Sequence, residues 1–322
     1  MKKFIVLLLS SLLVLSACSS ADYNATTVQN EPPGVPPTDY IIEFFPTPPF
    51  EFEGYAEALD RVYATVDGRQ LRFDIFFPTV QKFERTPLVV GFHGGGWIAG
   101  NKSELTHGLA PIIAELRANG YAFATVQYRF AAPPNVVFPA PFDDAAAFIS
   151  YIKENAGIYN IDVGNIGVIG YSAGAHLAML LAYATDFDIR YCIALAGPTK
   201  MYGDDPANYP RSTMALVENL FGGTYEQLPE LYRAGSPFFH LEPERENHRT
   251  TPLLLVHDRT DDVVPFTQAE IMFEKVQSLG IESEFIELFG VGHNINFHRA
   301  DESVSAILNF IYRFHEIYTN LY

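Results

Sequence analysis

The chain has little cysteine, because Cys18 and Cys192 are the only two among its 322 residues. A framework of several disulfides is therefore excluded, and none can form if Cys18 is covalently modified. Cys192 lies in the apolar run Y-C-I-A-L-A, which is typical of a small buried core residue. The fold must be held by its hydrophobic core, and a chain of about 300 residues buries about 75% of its unfolded surface. One large domain is expected rather than two.

Positive charge is also scarce. The 21 lysines and arginines are outnumbered by 38 aspartates and glutamates, which gives a formal net charge of −17. Such a surface repels the phosphate backbone, so nucleic acid is excluded as an expected partner. The pattern H-E-x-x-H is absent, and His293 and His298 lack the spacing of a zinc site. We therefore predict no metal and no other cofactor.

Long apolar runs are missing as well. The first seventeen residues, M-K-K-F-I-V-L-L-L-S-S-L-L-V-L-S-A, join two lysines to an apolar stretch shorter than the ~20 residues of a transmembrane helix. This layout is typical of a secretory signal. Its end, L-S-A-C, resembles the lipobox of bacterial lipoproteins, which implies cleavage before Cys18 and a lipid, such as palmitate, on its thiol. The alternative is an ordinary cleaved signal followed by an unmodified cysteine.

The N-terminal region predicts three successive parts of the chain. Residues 1–17 are expected to be the signal peptide, 18–50 the lipidated cysteine with a tether, and 51–322 one folded domain. The tether contains E-P-P-G-V-P-P-T-D-Y and F-P-T-P-P-F, and such proline-rich segments are extended, semi-rigid spacers. Because acyl chains anchor a protein without spanning the bilayer, we expect an exported protein held on a bacterial cell membrane.

From about residue 55 the chain alternates short apolar runs with helical patterns, which predicts a parallel sheet covered on both faces. The turn D-G-R-Q between the first two runs predicts an antiparallel hairpin at the start of this sheet. The predicted fold class is α/β, with a mixed, mostly parallel sheet of about eight strands. The predicted strands are 61–66, 71–77, 88–92, 121–128, 166–170, 191–196, 253–257 and 283–289, and the main predicted helices are 104–119, 142–156, 173–184 and 266–279.

One connection is too long for a simple crossover. Residues 197–251 separate the sixth and seventh predicted strands and include a helical pattern near 212–221. We therefore predict a helical insertion between strands 6 and 7. A segment of this length is often a functional lid or wall, and it can also be an ordinary surface excursion. The sequence leaves both roles open for residues 198–250.

A serine stands between two glycines where the fifth predicted strand gives way to a helix. Residues 168–178 read V-I-G-Y-S-A-G-A-H-L-A. A strand that turns at once into a helix strains one residue and exposes its side chain above the sheet, and small neighbours two residues away relieve the crowding. Since the following helix directs its N–H groups and positive dipole end at the same place, Ser172 is the predicted nucleophile.

A serine hydroxyl needs a general base, and the base needs an acid that orients it. In this architecture the chain order is serine, then an acid, then histidine. The stretch L-L-L-V-H-D-R-T-D-D-V-V-P follows one strand, and L-F-G-V-G-H-N follows the next. Both lie where strands end, which is where open α/β sheets build sites. We predict His293 as the base and Asp261 or Asp262 as the acid.

Three consecutive glycines follow the third predicted strand in G-F-H-G-G-G-W. Without a Cβ, their backbone N–H groups can approach a ligand closely. The tetrahedral intermediate of acyl transfer carries a negative oxygen that requires fixed donors of this kind. We predict that the amides of Gly95, Gly96 and Ala173 form an oxyanion hole.

Several motifs occur together in one order: H-G-G-G-W, Y-R, F-P-A-P-F-D-D, G-Y-S-A-G-A-H-L-A, L-F-G-G-T, L-Y-R-A-G-S-P, H-D-R-T-D-D-V-V-P and G-V-G-H. Over residues 55–315 the chain resembles the α/β-hydrolase esterases related to hormone-sensitive lipase, and most closely the branch with acetyl-xylan esterases, feruloyl esterases and arylformamidases. The resemblance implies a catalytic domain over 51–322 and a triad of Ser172, His293 and Asp261. It selects Asp261 because the family's acid stands four residues after a histidine and four before a proline.

The chain departs from the family pattern at three positions. Asp258 stands where the family has glycine after the histidine, so the turn before the acid is expected to differ. Tyr171 replaces the aspartate that the lipase-like branch usually carries before its serine. Gly96 is small where arylformamidases usually have a bulkier residue, and this difference favours the esterases.

The resemblance implies a serine carboxylic ester hydrolase that works through an acyl-enzyme. The expected substrates are short-chain or aromatic acyl esters, including acetyl or feruloyl groups on polysaccharides, because the chain is expected to be exported. One alternative is an amide hydrolase like the arylformamidases, although their substrate arises inside cells. A second alternative is a catalytically inactive binding protein on the same fold. The sequence leaves the oligomeric state open.

Overall fold

A computed structural model describes residues 57–202, 209–241, 250–294 and 301–319. The predicted signal peptide at 1–17, the lipidation site Cys18 and the predicted tether at 18–50 lie outside the described residues. Their assignments, and the boundary of the domain at residue 51, stay predictions. Within the described ranges, no helix combines the length and the apolar character that crossing a membrane requires.

The core of the molecule is one mixed sheet of eight strands, as predicted. The spatial order is β1-β2-β4-β3-β5-β6-β7-β8. The first two strands form the predicted antiparallel hairpin, β2 pairs antiparallel with β4, and every later pairing is parallel. The strands are β1 (Glu57–Val66), β2 (Arg69–Phe76), β3 (Thr86–Phe92), β4 (Ala122–Val126), β5 (Ile161–Tyr171), β6 (Cys192–Leu195), β7 (Leu253–Asp258) and β8 (Ser283–Leu288).

Helices cover both faces of this sheet, because its central strands are apolar on both sides. Successive residues of β3 alternate between two hydrophobic clusters: Val90 joins one cluster and Val89 the other. The helices are α1 (Lys102–Gly108), α2 (Ala110–Ala118), α3 (Ala140–Glu154), α4 (Ala156–Tyr159), α5 (Ala173–Ala184), α6 (Arg211–Phe221), α7 (Pro229–Ala234), α8 (Thr267–Ser278) and α9 (Asp301–Thr319), with a 3₁₀ helix at Pro237–Leu241. Cys192 is a free, buried core residue, as its apolar run predicts.

The predicted helix 104–119 is two helices in the structure. Helix α1 ends at Gly108, Leu109 separates the two, and α2 begins at Ala110. Pro111 lies in the first turn of α2, where its missing N–H costs no hydrogen bond. In one continuous helix the proline ring would clash with the preceding turn, so the break falls just before it.

The insertion between β6 and β7 contains α6, α7 and the 3₁₀ helix. Helix α6 covers the predicted helical stretch near 212–221, and the predicted insertion is confirmed. The insertion packs over α5, which is buried along its whole length. It therefore lies near the point where α5 begins, at the carboxyl end of β5.

Candidate active site

Ser172 occupies the turn between β5 and α5 with a strained backbone. Its φ is +53° and its ψ is −118°, a backbone conformation that residues other than glycine rarely adopt. Such strain costs roughly 1–3 kcal/mol and persists only where neighbouring structure imposes it. Here the Ser172 N–H donates to the Leu195 carbonyl at 2.8 Å, which ties the turn to the end of β6.

The glycines on either side of Ser172 have a direct steric reason. A Cβ on Gly170 would lie 2.1 Å from the carbonyl oxygen of Gly174, and a Cβ on Gly174 would lie 2.0 Å from that of Phe92. Both contacts are with backbone, which cannot move aside as a flexible side chain can. The turn can therefore form only when these two residues have no side chain.

The structure brings Ser172, His293 and Asp261 together in one hydrogen-bonded chain. His293 Nδ1 donates to Asp261 Oδ2 at 2.8 Å, and Ser172 Oγ donates to His293 Nε2 at 2.9 Å. The Asp261 side chain is wholly buried, and 13% of the His293 side chain is exposed. Asp262, the other acid that the sequence left open, is exposed and does not make this contact. The arrangement matches that of a serine nucleophile, a base and an orienting acid.

Four donors surround the Asp261 carboxylate. The amides of Val263 and Val264 both donate to Oδ1 at 2.9 Å, and His257 Nε2 lies 3.1 Å from the Oδ2 that also receives His293. Burial alone would raise the pKa of Asp261, but the hydrogen bonds from His257, His293 and the Val263 amide outweigh it and hold this pKa well below its usual range. The carboxylate therefore stays ionised and can stabilise a protonated His293.

The predicted oxyanion loop lies directly against Ser172. A Cβ on Gly94 would lie only 3.2 Å from Ser172 Cβ, and Gly95 and Gly96 have φ values of +115° and +58°. Within the ranges that the structure describes, the amides of Gly95, Gly96 and Ala173 donate to no protein acceptor. Three free N–H groups thus lie on segments that adjoin the serine. Their role as oxyanion donors stays a prediction.

Two buried histidines brace this loop. Trp97 Nε1 donates to His176 Nδ1 at 3.3 Å, and His176 Nε2 donates to the Gly235 carbonyl at 2.6 Å, so the loop is linked through α5 to the insertion. Burial lowers the pKa of His176 to about 4, which keeps its ring neutral, as these two bonds require. His93 stacks on Tyr128 and donates to the Gly94 carbonyl at 2.7 Å.

The insertion reaches the site through α6, which favours the wall among the roles that the sequence left open, although the residues in contact could not be predicted. Thr213 Oγ1 donates at 2.6 Å to the carbonyl of Val263, which lies in the loop after β7, residues 259–266, here called the acid loop. Leu216 lies so close to Gly96 that a Cβ there would be 2.8 Å from its Cδ1. Thr213 and Val263 are 50 residues apart, and no local pattern marks either contact. The insertion therefore forms a wall of the site.

The described residues contain no group of three or more His, Cys, Asp or Glu side chains placed to hold a metal ion. The site's donors are instead arranged around one serine oxygen. The expectation of no metal and no cofactor stays a prediction.

The strand order, the strained serine after β5 and the serine–histidine–aspartate geometry define an α/β-hydrolase. Comparison with known proteins agrees, and it confirms the predicted relationship to the α/β-hydrolase esterases. The chain belongs to the BD-FAE family, whose model matches residues 73–276.

Relatives and solved structures are similar at low identity. Esterase LipC of Mycobacterium tuberculosis is 24% identical over 246 residues, which cover 71% of this chain and 59% of LipC. A truncated carbohydrate esterase from gut microbiota has a TM-score of 0.65 at 20% identity, over 83% of this chain and 98% of that one. Esterase Est2 of Thermogutta terrifontis, solved with propionate, has a TM-score of 0.63 at 21% identity, over 81% of this chain and 93% of that one. The chain spans about 60% of the length of the curated relatives.

Proposed function

We propose that the protein is a serine carboxylic ester hydrolase. The observation that carries the proposal is the hydrogen-bonded chain from Ser172 Oγ through His293 to Asp261, at 2.9 and 2.8 Å. The free amides of Gly95, Gly96 and Ala173 on segments that adjoin the same serine support it. Membership in the BD-FAE family and the esterase names of the relatives agree with this chemistry.

Acylation uses His293 first as a base. As Ser172 Oγ attacks the ester carbonyl carbon, its proton passes to His293 Nε2, and the carbonyl oxygen becomes an oxyanion that the loop amides stabilise. The Asp261 carboxylate stabilises the imidazolium that forms. When the intermediate collapses, the bond to the alkoxy oxygen breaks, His293 returns the proton to it, and the alcohol leaves an acyl-serine.

Deacylation repeats these steps with water. His293 takes a proton from a water molecule as its oxygen attacks the acyl carbon, and the second oxyanion uses the same amides. Collapse breaks the bond to Ser172 Oγ, which recovers its proton from His293, and the carboxylic acid leaves. Apart from the ester and water, these proposed steps require no group beyond Ser172, His293, Asp261 and the loop amides.

The substrates that we propose are esters of short or aromatic acyl groups, including acetyl or feruloyl groups on polysaccharides. The contact between Leu216 and Gly96 supports an acyl-binding site of limited size, because an apolar side chain occupies space beside the oxyanion loop. A carbohydrate esterase from gut microbiota and a propionate-bound esterase are among the structures similar to this chain, which agrees with such substrates.

The activity is tested on residues 51–322, which is the chain without its first 50 residues. The wild type and Ser172→Ala are assayed with p-nitrophenyl acetate, butyrate and octanoate, methyl ferulate, acetylated xylan and N-formylkynurenine. We expect turnover of short or aromatic esters that Ser172→Ala abolishes. Preference for N-formylkynurenine would favour the amide hydrolase, and a folded protein without turnover of any substrate would favour the binding protein.

We also propose export and lipid anchoring through Cys18, on the evidence of the sequence L-S-A-C after an apolar run. Cells that express the full chain are labelled with palmitate and fractionated. Label and membrane association are expected in the wild type and lost in Cys18→Ser, with Cys192→Ser as the control that keeps both. Label-free protein released to the soluble fraction would instead indicate an ordinary cleaved signal.

A further inference from the structure

The described part of the segment that carries His293 has few apolar contacts. Residues 289–294, here called the histidine loop, are all exposed or half-buried, and Phe289 is 71% exposed. Catalysis needs the histidine ring in place to within a few tenths of an ångström. Among the described residues, the contacts that can hold it there are mainly polar.

Asp258, the last residue of β7, supplies one such contact from below the loop. Its buried carboxylate accepts from the Val291 amide at 2.9 Å through Oδ2 and from the Thr260 amide at 2.7 Å through Oδ1. The Thr260 hydroxyl also donates to Oδ1 at 2.6 Å. Gly290 and Gly292 have φ values of +77° and +64°, a turn of the backbone that suits glycine. One carboxylate thus joins the acid loop to the histidine loop.

Tyr171 supplies a second contact from the nucleophile side. Its hydroxyl donates to the carbonyl of His293 itself at 2.7 Å, and the two rings lie 5.4 Å apart. The tyrosine ring also lies against the oxyanion loop, since a Cβ on Gly94 would be 2.8 Å from Tyr171 Cδ1. The residue before the nucleophile therefore contacts both the oxyanion loop and the histidine loop.

Asp258 and Tyr171 are two of the three positions at which the sequence departs from the pattern of related esterases. We propose that they are paired positioning residues, which anchor the histidine loop at Val291 and at His293 and so hold the imidazole between Ser172 and Asp261. A glycine at position 258 or an aspartate at position 171 could not make the same pair of contacts. The proposal rests on the proposed ester hydrolase function.

A purely structural role for these residues would lower stability and leave the chemistry of the folded enzyme unchanged. A positioning role instead lowers kcat, because an imidazole displaced by about 1 Å transfers protons roughly 100-fold less well. It leaves KM nearly unchanged, because neither residue is placed to bind the ester. The two roles are therefore distinguished by the separate effects on kcat and KM.

The test uses Tyr171→Phe, Asp258→Asn and Asp258→Gly in the domain assayed for esterase activity. We expect kcat on p-nitrophenyl acetate to fall roughly 10- to 100-fold in each variant, with KM within about two-fold of the wild type. Hydrogen–deuterium exchange of the peptide that contains residues 289–294 should become faster, most of all in the two Asp258 variants. That exchange is measured without substrate, so it reports on the anchors even if the esterase proposal fails.

Two matched controls lose comparable hydrogen bonds away from the site. In Tyr183→Phe the lost bond is from the tyrosine hydroxyl to the Thr251 carbonyl at 3.0 Å, and in Asp162→Ala it is from the Gly164 amide to the Asp162 carboxylate at 3.0 Å. Both should keep wild-type kcat and wild-type exchange in the histidine loop. Full kcat in Asp258→Gly would overturn the proposal. So would unchanged exchange of residues 289–294 in all three test variants.

Discussion

At the scale of single residues, the turn at Ser172 requires that Gly170 and Gly174 have no Cβ atom. Gly174 faces the backbone carbonyls of Phe92 and His93, which a Cβ would approach to 2.0 and 2.5 Å. Those carbonyls belong to the end of β3 and the start of the oxyanion loop. The same glycine therefore sets the distance between the nucleophile helix and the loop that is expected to stabilise the oxyanion.

We expect Gly174→Ala to destabilise the fold by about 1–3 kcal/mol or more, because backbone must shift to admit the methyl group. Gly157→Ala is the matched control, since Gly157 lies in α4 and nothing lies within 4 Å of its added Cβ. The control should be neutral or slightly stabilising, as alanine favours helix. Urea unfolding midpoints of the two variants measure the difference, and equal midpoints would contradict the steric account.

The adjacent acids Asp261 and Asp262 give a sharp test of the catalytic assignment. Of these two acids, only Asp261 contacts His293. Asp261→Asn should therefore lower kcat by roughly 10³–10⁴-fold through loss of the orienting carboxylate. Asp262→Asn removes the same charge from an exposed side chain and should leave kcat within about two-fold of the wild type. Hydrolysis of p-nitrophenyl acetate by both variants is the measurement. Equal losses in the two variants would refute the assignment.

At the scale of elements, the strands and most helices could be predicted because each leaves a local mark in the sequence. Apolar runs mark the central strands, and the glycines around Ser172 mark the start of α5. The contacts of α6 left no such mark, because Thr213 and Leu216 meet residues that are distant in the chain. Tertiary packing alone decides that this helix, rather than another part of the insertion, faces the site.

Helix α6 should influence which acyl groups the enzyme accepts. Leu216 contacts Gly96, so Leu216→Ala is expected to open space beside the oxyanion loop and to raise the ratio of kcat/KM for octanoate over acetate by about 5- to 10-fold. Val217→Ala on the same helix removes a buried side chain that joins the hydrophobic core and should lower stability without changing this ratio. A ratio that is unchanged in Leu216→Ala would exclude α6 from the acyl site.

At the scale of the whole molecule, the site joins four segments that are far apart in sequence. The predicted oxyanion loop follows β3, Ser172 follows β5, Asp261 follows β7 and His293 follows β8. The meeting of these segments could be predicted, because the carboxyl ends of parallel strands lie at one edge of a sheet. The anchors could not, since Tyr171 and His293 are 122 residues apart and their contact depends on the exact shapes of two loops.

The buried carboxylates of Asp258 and Asp261 are also expected to make the stability of the fold depend on pH in acid. Burial would raise the pKa of Asp258, but hydrogen bonds from Thr260, Val291 and Gly292 outweigh it, and those around Asp261 act in the same way. A carboxyl whose pKa is lower in the folded state stabilises the fold fully above its unfolded pKa of about 3.9. That stabilisation is lost as the pH falls through the folded pKa.

The stability that Asp258 contributes should therefore be greater at about pH 7 than at about pH 3. We expect Asp258→Asn to be less stable than the wild type at about pH 7, with the gap in urea midpoints narrowing in acid. Thr213→Val is the matched control, because it removes a hydrogen bond to the Val263 carbonyl and no ionisable group. Its gap should be similar at both pH values. A constant gap for Asp258→Asn would show that its carboxylate is not stabilised by the amides of the histidine loop.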